Sequence, residues 1–252
     1  MGGEFDSSRI RWVPGKYGLP EAWYKLKVPS VTAIINDMIP DPDLDKWTKE
    51  VGEEKAKQIM EAAGHRGTAM HTFIENFMGV FKISSDPSEA LKHTQSQSPL
   101  ILEKEQIPTN KIDEGRNLFY KFYYSDYPIQ YKEVIGLELG IYSQSLLYRG
   151  KLDIFYKDRL FGPAVTDFKT SNGYIKKGSI KEIKHKNQLG AYANALDEMY
   201  NGKVTINKAS ILCVNTNTDA LQEISCDGKE LQKYKEEFKT LCLEYHRKNK
   251  SS

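Results

Sequence analysis

With 252 residues, 39% of them hydrophobic and 28% charged, the chain has the composition of an ordinary soluble protein and is long enough to bury a substantial core. A formal charge of +2 excludes overall charge as a signature of nucleic-acid binding, so any such surface must be a local patch. No apolar run approaches a membrane span and no signal-peptide core opens the chain; Cys213, Cys226 and Cys242, without C-x-x-C spacing, read as thiols of an intracellular, reducing compartment. The length favours one elaborated domain over 1–252, with an arm at 1–27, a helical elaboration at 28–130 and a core of sheet and helices at 131–252.

In chain order, Trp12, Trp23 and Tyr24 among Pro14, Gly15, Gly18 and Pro20 predict an irregular or hairpin-like arm whose aromatics pack on the core. Ser30 caps a short helix that ends in the turn Pro40-Asp41-Pro42. Asp43 is expected to cap a helix to about Ala63, with Leu44, Trp47, Val51 and Ile59 on one face and Gly64 ending it. A second helix runs from near Arg66 to Gly79–Phe81 and buries Ala69, Phe73, Ile74 and Phe77. His71 and Glu75, spaced i, i+4, share a stripe with Gly64 and Thr68 beside that arc. Such a pair is ordinarily a solvated helix face, although the small neighbours leave room for a ligand. Residues 83–110, rich in Ser, Gln, Pro and Lys, read as a loop. A helix follows from Asn110 to Tyr124, and Tyr120, Phe122, Tyr123, Tyr124 and Tyr127 serve either core packing or the stacking of unpaired bases.

Val134 to Tyr142 alternates as a strand and carries Glu138, which by itself reads as solvent-facing. From Tyr148 to Ser171, two apolar runs, Leu152–Tyr156 and Ala164–Phe168, flank a polar segment and form a β-hairpin. Each run holds an acid where a strand wants an apolar residue. Closure about Leu160 sets Asp153 opposite Asp167 on one face; Lys169 joins them and Phe168 points to the core. Two adjacent carboxylates repel unless a partner neutralises them, and a hard divalent cation is such a partner. An Asp pair beside an unchelated Lys suits phosphoryl transfer. Taken alone, D-F-K reads better as a cross-strand ion pair on a surface hairpin.

Downstream, Lys176, Lys177, Lys181, Lys184 and Lys186 form either a phosphate-facing patch or a solvated helix start. The helix from Ile180 to Tyr200 carries Lys184, Gln188 and Tyr192 in one stripe, with Leu189 and Leu196 turned to the core. Strands at Val204–Val214 and Leu221–Ser225 precede a closing helix, Lys229–Arg247, marked by Leu231, Tyr234, Phe238, Leu241 and Tyr245.

The order G-x-x-D (Gly150, Asp153), D-x-K (Asp167, Lys169), Q-x-x-x-Y (Gln188, Tyr192), with V-P-S-V-T at Val28–Thr32 and R-G-T-A-M-H-T-F-I-E at Arg66–Glu75, resembles the PD-(D/E)XK nuclease superfamily. Within it the likeness is to the RecB-like branch, and there to the exonucleases of phages and of mitochondrial genome maintenance. The resemblance covers roughly residues 28–200. It implies an α/β fold, a mixed central sheet flanked by helices in the order αβββαβ. It implies a Mg²⁺ or Mn²⁺ site formed by His71, Asp153 and Asp167, with Glu75 and Glu138 in the same centre and Lys169 aligning the attacking water. Gln188, Tyr192, Tyr148, Ser171, Lys176, Lys177 and Lys184 would contact the substrate backbone. No iron–sulfur cluster is expected, because three cysteines cannot supply four thiolates. The implied activity is metal-dependent DNA exonuclease on single-stranded or flapped ends in replication, repair or recombination. Replication or recombination proteins are the implied partners, without a membrane, in a host cytoplasm or a mitochondrion. A structure-specific endonuclease on the same core and a non-catalytic nucleic-acid-binding module stay open as alternatives.

Overall fold

Five strands, β1 (Val134–Ser143), β2 (Tyr148–Asp158), β3 (Gly162–Ser171), β4 (Lys208–Asn215) and β5 (Leu221–Asp227), lie side by side in chain order in the computed structural model, which describes residues 28–131 and 133–250. The arm expected at 1–27 lies outside the described residues. Before the sheet come α1 (Val31–Met38), α2 (Pro42–Val51), α3 (Glu53–Ser84), α4 (Pro87–Lys104), α5 (Thr109–Tyr123) and the single turn α6 (Tyr127–Gln130). α7 (Ile180–Met199) and α8 (Gly228–Lys250) follow β3 and β5. All neighbouring strands run antiparallel except β3 and β4, which are parallel. A parallel pair needs a crossover, and α7 supplies it. The result is the expected α/β architecture with helices on both faces of a mixed sheet.

Strand parity decides which helices each face meets. Phe155, Val165, Ile211 and Cys213 pack with α1, α7 and α8, whereas Ile154, Tyr156, Phe168 and Leu212 pack with α3 and α5. In α8 the buried stripe is Leu231, Tyr234, Phe238 and Cys242, so Cys242 takes the place expected for Leu241.

The helical layer corrects four expectations. Asp41, not Asp43, caps α2: its carboxylate accepts from the Leu44 N–H at 3.2 Å, with Pro42 opening the helix. The break falls at Gly52, whose φ of 90° suits a residue without Cβ, and α3 then runs unbroken for 32 residues through Gly64. A mid-helix glycine costs about 1 kcal/mol, less than the burial of Ala69, Phe73, Ile74 and Phe77 a turn or more beyond it returns. The face expected to bury Leu44 and Ile59 leaves both 43% exposed. Finally, most of the segment expected as a loop at 83–110 is α4. Asp86 caps it by accepting from the Ser88 N–H at 2.8 Å, and its buried stripe is Ala90, Thr94, Ser98 and Leu102. That stripe is small and polar, so apolar periodicity does not reveal it. Its hydroxyls are satisfied locally, Thr94 donating to the Ala90 carbonyl at 2.8 Å and Ser98 pairing with Asn76 at 2.9 Å.

Candidate active site

The β2–β3 ladder pairs Phe155 with Val165 and ends at Ile154 with Thr166. Asp153 and Asp167 are the next residues on the two strands past that last pair, and are 8% and 2% exposed. The Phe168 N–H donates to Asp153 Oδ2 at 2.5 Å, while the Phe168 ring packs edge-on to Phe122 at 5.4 Å, fixing the strand between the site and the core. Lys169 is ion-paired with Asp167. From α3, His71 reaches across the layers and brings Nδ1 to 3.2 Å from Asp153 Oδ1.

β1 adds Glu138. The ladder pairs Leu137 with Ile154 and Leu139 with Leu152, so Glu138 falls opposite Asp153. Its φ of 49° is left-handed, a conformation that costs an L-residue about 1–2 kcal/mol and is found where geometry is held for function. One ligand atom each from His71, Glu138 and Asp153 lie within 4.8 Å of one another.

Electrostatics follow from crowding these acids out of water. Burial and the charge of Asp153 push Asp167 up to about 6 against the pull of Lys169. Burial works on Asp153 too, but His71, Lys169 and the Phe168 N–H outweigh it and hold its carboxyl below the ordinary range. Burial and Asp153 raise Glu138 to about 7, and burial raises Glu75. Burial disfavours the His71 imidazolium, yet Asp153 prevails and raises its pKa. Asp167, Glu138 and Glu75 are thus all harder to ionise than free carboxyls. An imidazole nitrogen and carboxylate oxygens gathered at this spacing fit a divalent cation.

Two cavities meet at Asp153 and Lys151. One, of about 440 Å³, is lined by Ser30, Thr32, Arg149, Asp167, Lys169, Gln188 and Tyr192. The other, of about 450 Å³, is lined by Gly64, Thr68, His71, Glu75, Glu105 and Glu138. Gln188 Nε2 donates to the Tyr192 hydroxyl at 2.6 Å, and burial and the Asp167 charge raise the pKa of that hydroxyl. α7 therefore walls the cavity with a hydrogen-bonded pair beside the second aspartate.

Several residues expected at the substrate lie elsewhere. Tyr148 is fully buried and donates its hydroxyl to the Ala191 carbonyl at 2.7 Å, so it packs α7 onto β2 rather than facing either cavity. The Ser171 hydroxyl donates to the Gly173 carbonyl at 2.6 Å and shapes the turn after β3. Lys176 and Lys177 are exposed on that turn and line neither cavity. Lys184 stands 3.7 Å from Asp41, and Lys186 is held by Glu182 at 3.1 Å and Glu230 at 2.7 Å, so these two lysines of the run are already paired with acids. Sequence reasoning missed Arg149, Lys151 and Glu105. The first two precede Asp153 by four and two positions on β2, a period-two signal that parity alone would have flagged.

The chain belongs to the PD-(D/E)XK nuclease superfamily, whose family model matches residues 46–251. Among solved structures it is similar to a "Putative exonuclease" of Eubacterium rectale, at 11% identity and a TM-score of 0.43 over 69% of this chain and 64% of that one. It is also similar to a protein named SSO0001, at 15% identity and a TM-score of 0.30 over 60% of this chain and 69% of that one. None of the curated proteins compared with it matches its sequence. Among the described residues no helix is long and apolar enough to cross a membrane.

Proposed function

We propose that the protein is a Mg²⁺- or Mn²⁺-dependent DNA exonuclease that hydrolyses phosphodiester bonds from single-stranded or flapped ends. The observation that carries this reading is the convergence of His71, Glu138 and Asp153 within 4.8 Å beside the Asp167–Lys169 pair. His71, Asp153 and Asp167 would hold the cation together with Glu138, and Glu75 would complete its surroundings. When bound, a divalent cation supplies Lewis acidity for the phosphoryl oxygens and makes water nucleophilic near neutral pH. Lys169 holds the attacking water in line and offsets charge developing on phosphorus. Gln188 and Tyr192, bonded to each other beside Asp167, border the backbone of the bound strand. The Ser30 and Thr32 hydroxyls on the same wall offer donors to phosphate.

The test is a time course on end-labelled linear single-stranded DNA with Mg²⁺, Mn²⁺ or EDTA, comparing wild type with Asp167→Ala. Metal-dependent degradation by the wild type alone is expected, with a closed single-stranded circle left intact. Cleavage of the circle would make the enzyme an endonuclease. DNA binding without cleavage under any metal would make it a binding module.

A further inference from the structure

Lys151 is a charged side chain for which the proposed chemistry has no use. It precedes Asp153 by two residues on β2 and lines both cavities, the one holding Asp167 and Lys169 and the one holding His71 and Glu138. Its ammonium is ion-paired with Glu138, one of the three residues whose ligand atoms gather within 4.8 Å. A monovalent cation therefore already sits on a carboxylate of the divalent site, and the two must compete for it. The lysine side chain is 46% exposed, and its flexible stem lets the ammonium move between partners. On the far side of Asp153 lies the cavity where Lys169, Arg149 and the Ser30 and Thr32 hydroxyls would meet a phosphate.

Resting on the reading of the site as a divalent-cation nuclease, we propose that Lys151 is an exchangeable counter-ion. It neutralises Glu138 before the cation arrives and, once the cation takes Glu138, binds the DNA phosphate in the neighbouring cavity. Cation and DNA then bind cooperatively, because each favours the same position of one ammonium.

This role has a signature that a merely structural lysine lacks. Removing the charge takes a competitor away from the cation and a partner away from the phosphate, so the two affinities move in opposite directions. The experiment titrates Mn²⁺ into DNA-free wild type, Lys151→Met and Lys151→Arg, and separately measures single-stranded oligonucleotide binding in Ca²⁺ across a salt series. Lys151→Met is expected to bind Mn²⁺ roughly 3–10-fold more tightly, the loss of one partly exposed ion-pair competitor. The same variant should bind DNA about 5–10-fold more weakly, with the salt slope reduced by about 0.7–1. Lys151→Arg should recover the DNA affinity. Unchanged or weakened Mn²⁺ binding by Lys151→Met, with wild type binding normally, overturns the role of Lys151 alone. Wild type that binds no Mn²⁺ overturns the nuclease reading itself, and this role with it.

Discussion

The two walls of the site are held by different kinds of order. The sheet wall is a hairpin: Asp153, Asp167 and Lys169 lie on strands joined by a turn of a few residues, and the ladder that pairs Ile154 with Thr166 fixes their spacing. The helical wall is held at long range. His71 and Glu75 come from α3, whose position depends on α5 and on the Phe119 ring, 5.7 Å from those of Phe73, which it stacks on, and Phe77, which is tilted against it. The sheet wall is therefore robust to changes far away, whereas the helical wall is only as well placed as its packing.

The largest expected effect breaks the sheet wall's chemistry without moving either wall. Lys169→Ala should lower cleavage by about 10²–10⁴-fold while Mn²⁺ binding persists, the loss typical of a group that acts on the transition state. Single-turnover cleavage with a parallel Mn²⁺ titration checks it, and retained turnover would remove Lys169 from its assigned role.

The next effect attacks the helical wall through its support. Gly115 on α5 touches α3 so closely that a Cβ there would stand 2.3 Å from Ala69 Cβ and 2.8 Å from the Met70 nitrogen. Gly115→Val must push the helices apart, at a cost of about 3 kcal/mol in denaturant unfolding. Ala69 and Met70 directly precede His71, so Mn²⁺ affinity should fall in the folded fraction as well. Stability lost with metal affinity unchanged would show that His71 finds its place without this contact.

His71→Ala removes the helical wall's ligand and leaves its packing intact. Mn²⁺ affinity should fall about 10–100-fold with little change in melting temperature, measured by titration and thermal unfolding. Equal loss from Lys169→Ala would erase the distinction between a ligand and a group that acts on water.

The same contrast explains what could be read from the sequence. Asp153, Asp167 and Lys169 were legible because period-two parity and a symmetric turn are local rules. The i, i+4 stripe of α7 groups Gln188 with Tyr192, and the family resemblance, rather than any local rule, directed that stripe to the site. The helical layer was less legible. Gly64 looks like a terminator, but termination is decided by burial further along α3, and Gly52 makes the break through its positive φ. α4 was hidden because its buried face is Ala90, Thr94, Ser98 and Leu102, whose fit depends on α3 and α5 rather than on apolar periodicity. Two lysines of the run have partners far away in sequence, Asp41 for Lys184 and Glu230 for Lys186, which no local pattern shows.

The smallest effect sharpens the account of the sheet wall from its remote end. Glu198 on α7 accepts from the Ser143 hydroxyl at 2.6 Å, the Ser145 N–H at 2.8 Å and the Ser145 hydroxyl at 2.9 Å, tying α7 to the β1–β2 turn. Burial alone would raise its pKa, but these donors prevail and hold it below the ordinary carboxylate value. A carboxyl whose pKa is depressed on folding stabilises the protein above its unfolded value, and that contribution disappears as pH falls through the folded one. Glu198→Gln should therefore cost about 1 kcal/mol at pH 7, solvent screening included, and less as the pH is lowered through the carboxylate range. Urea unfolding of both proteins at several pH values measures the difference. A gap that stays constant or widens on acidification would mean that the turn is tied to α7 by packing, and that the sheet wall needs no charged anchor at this end.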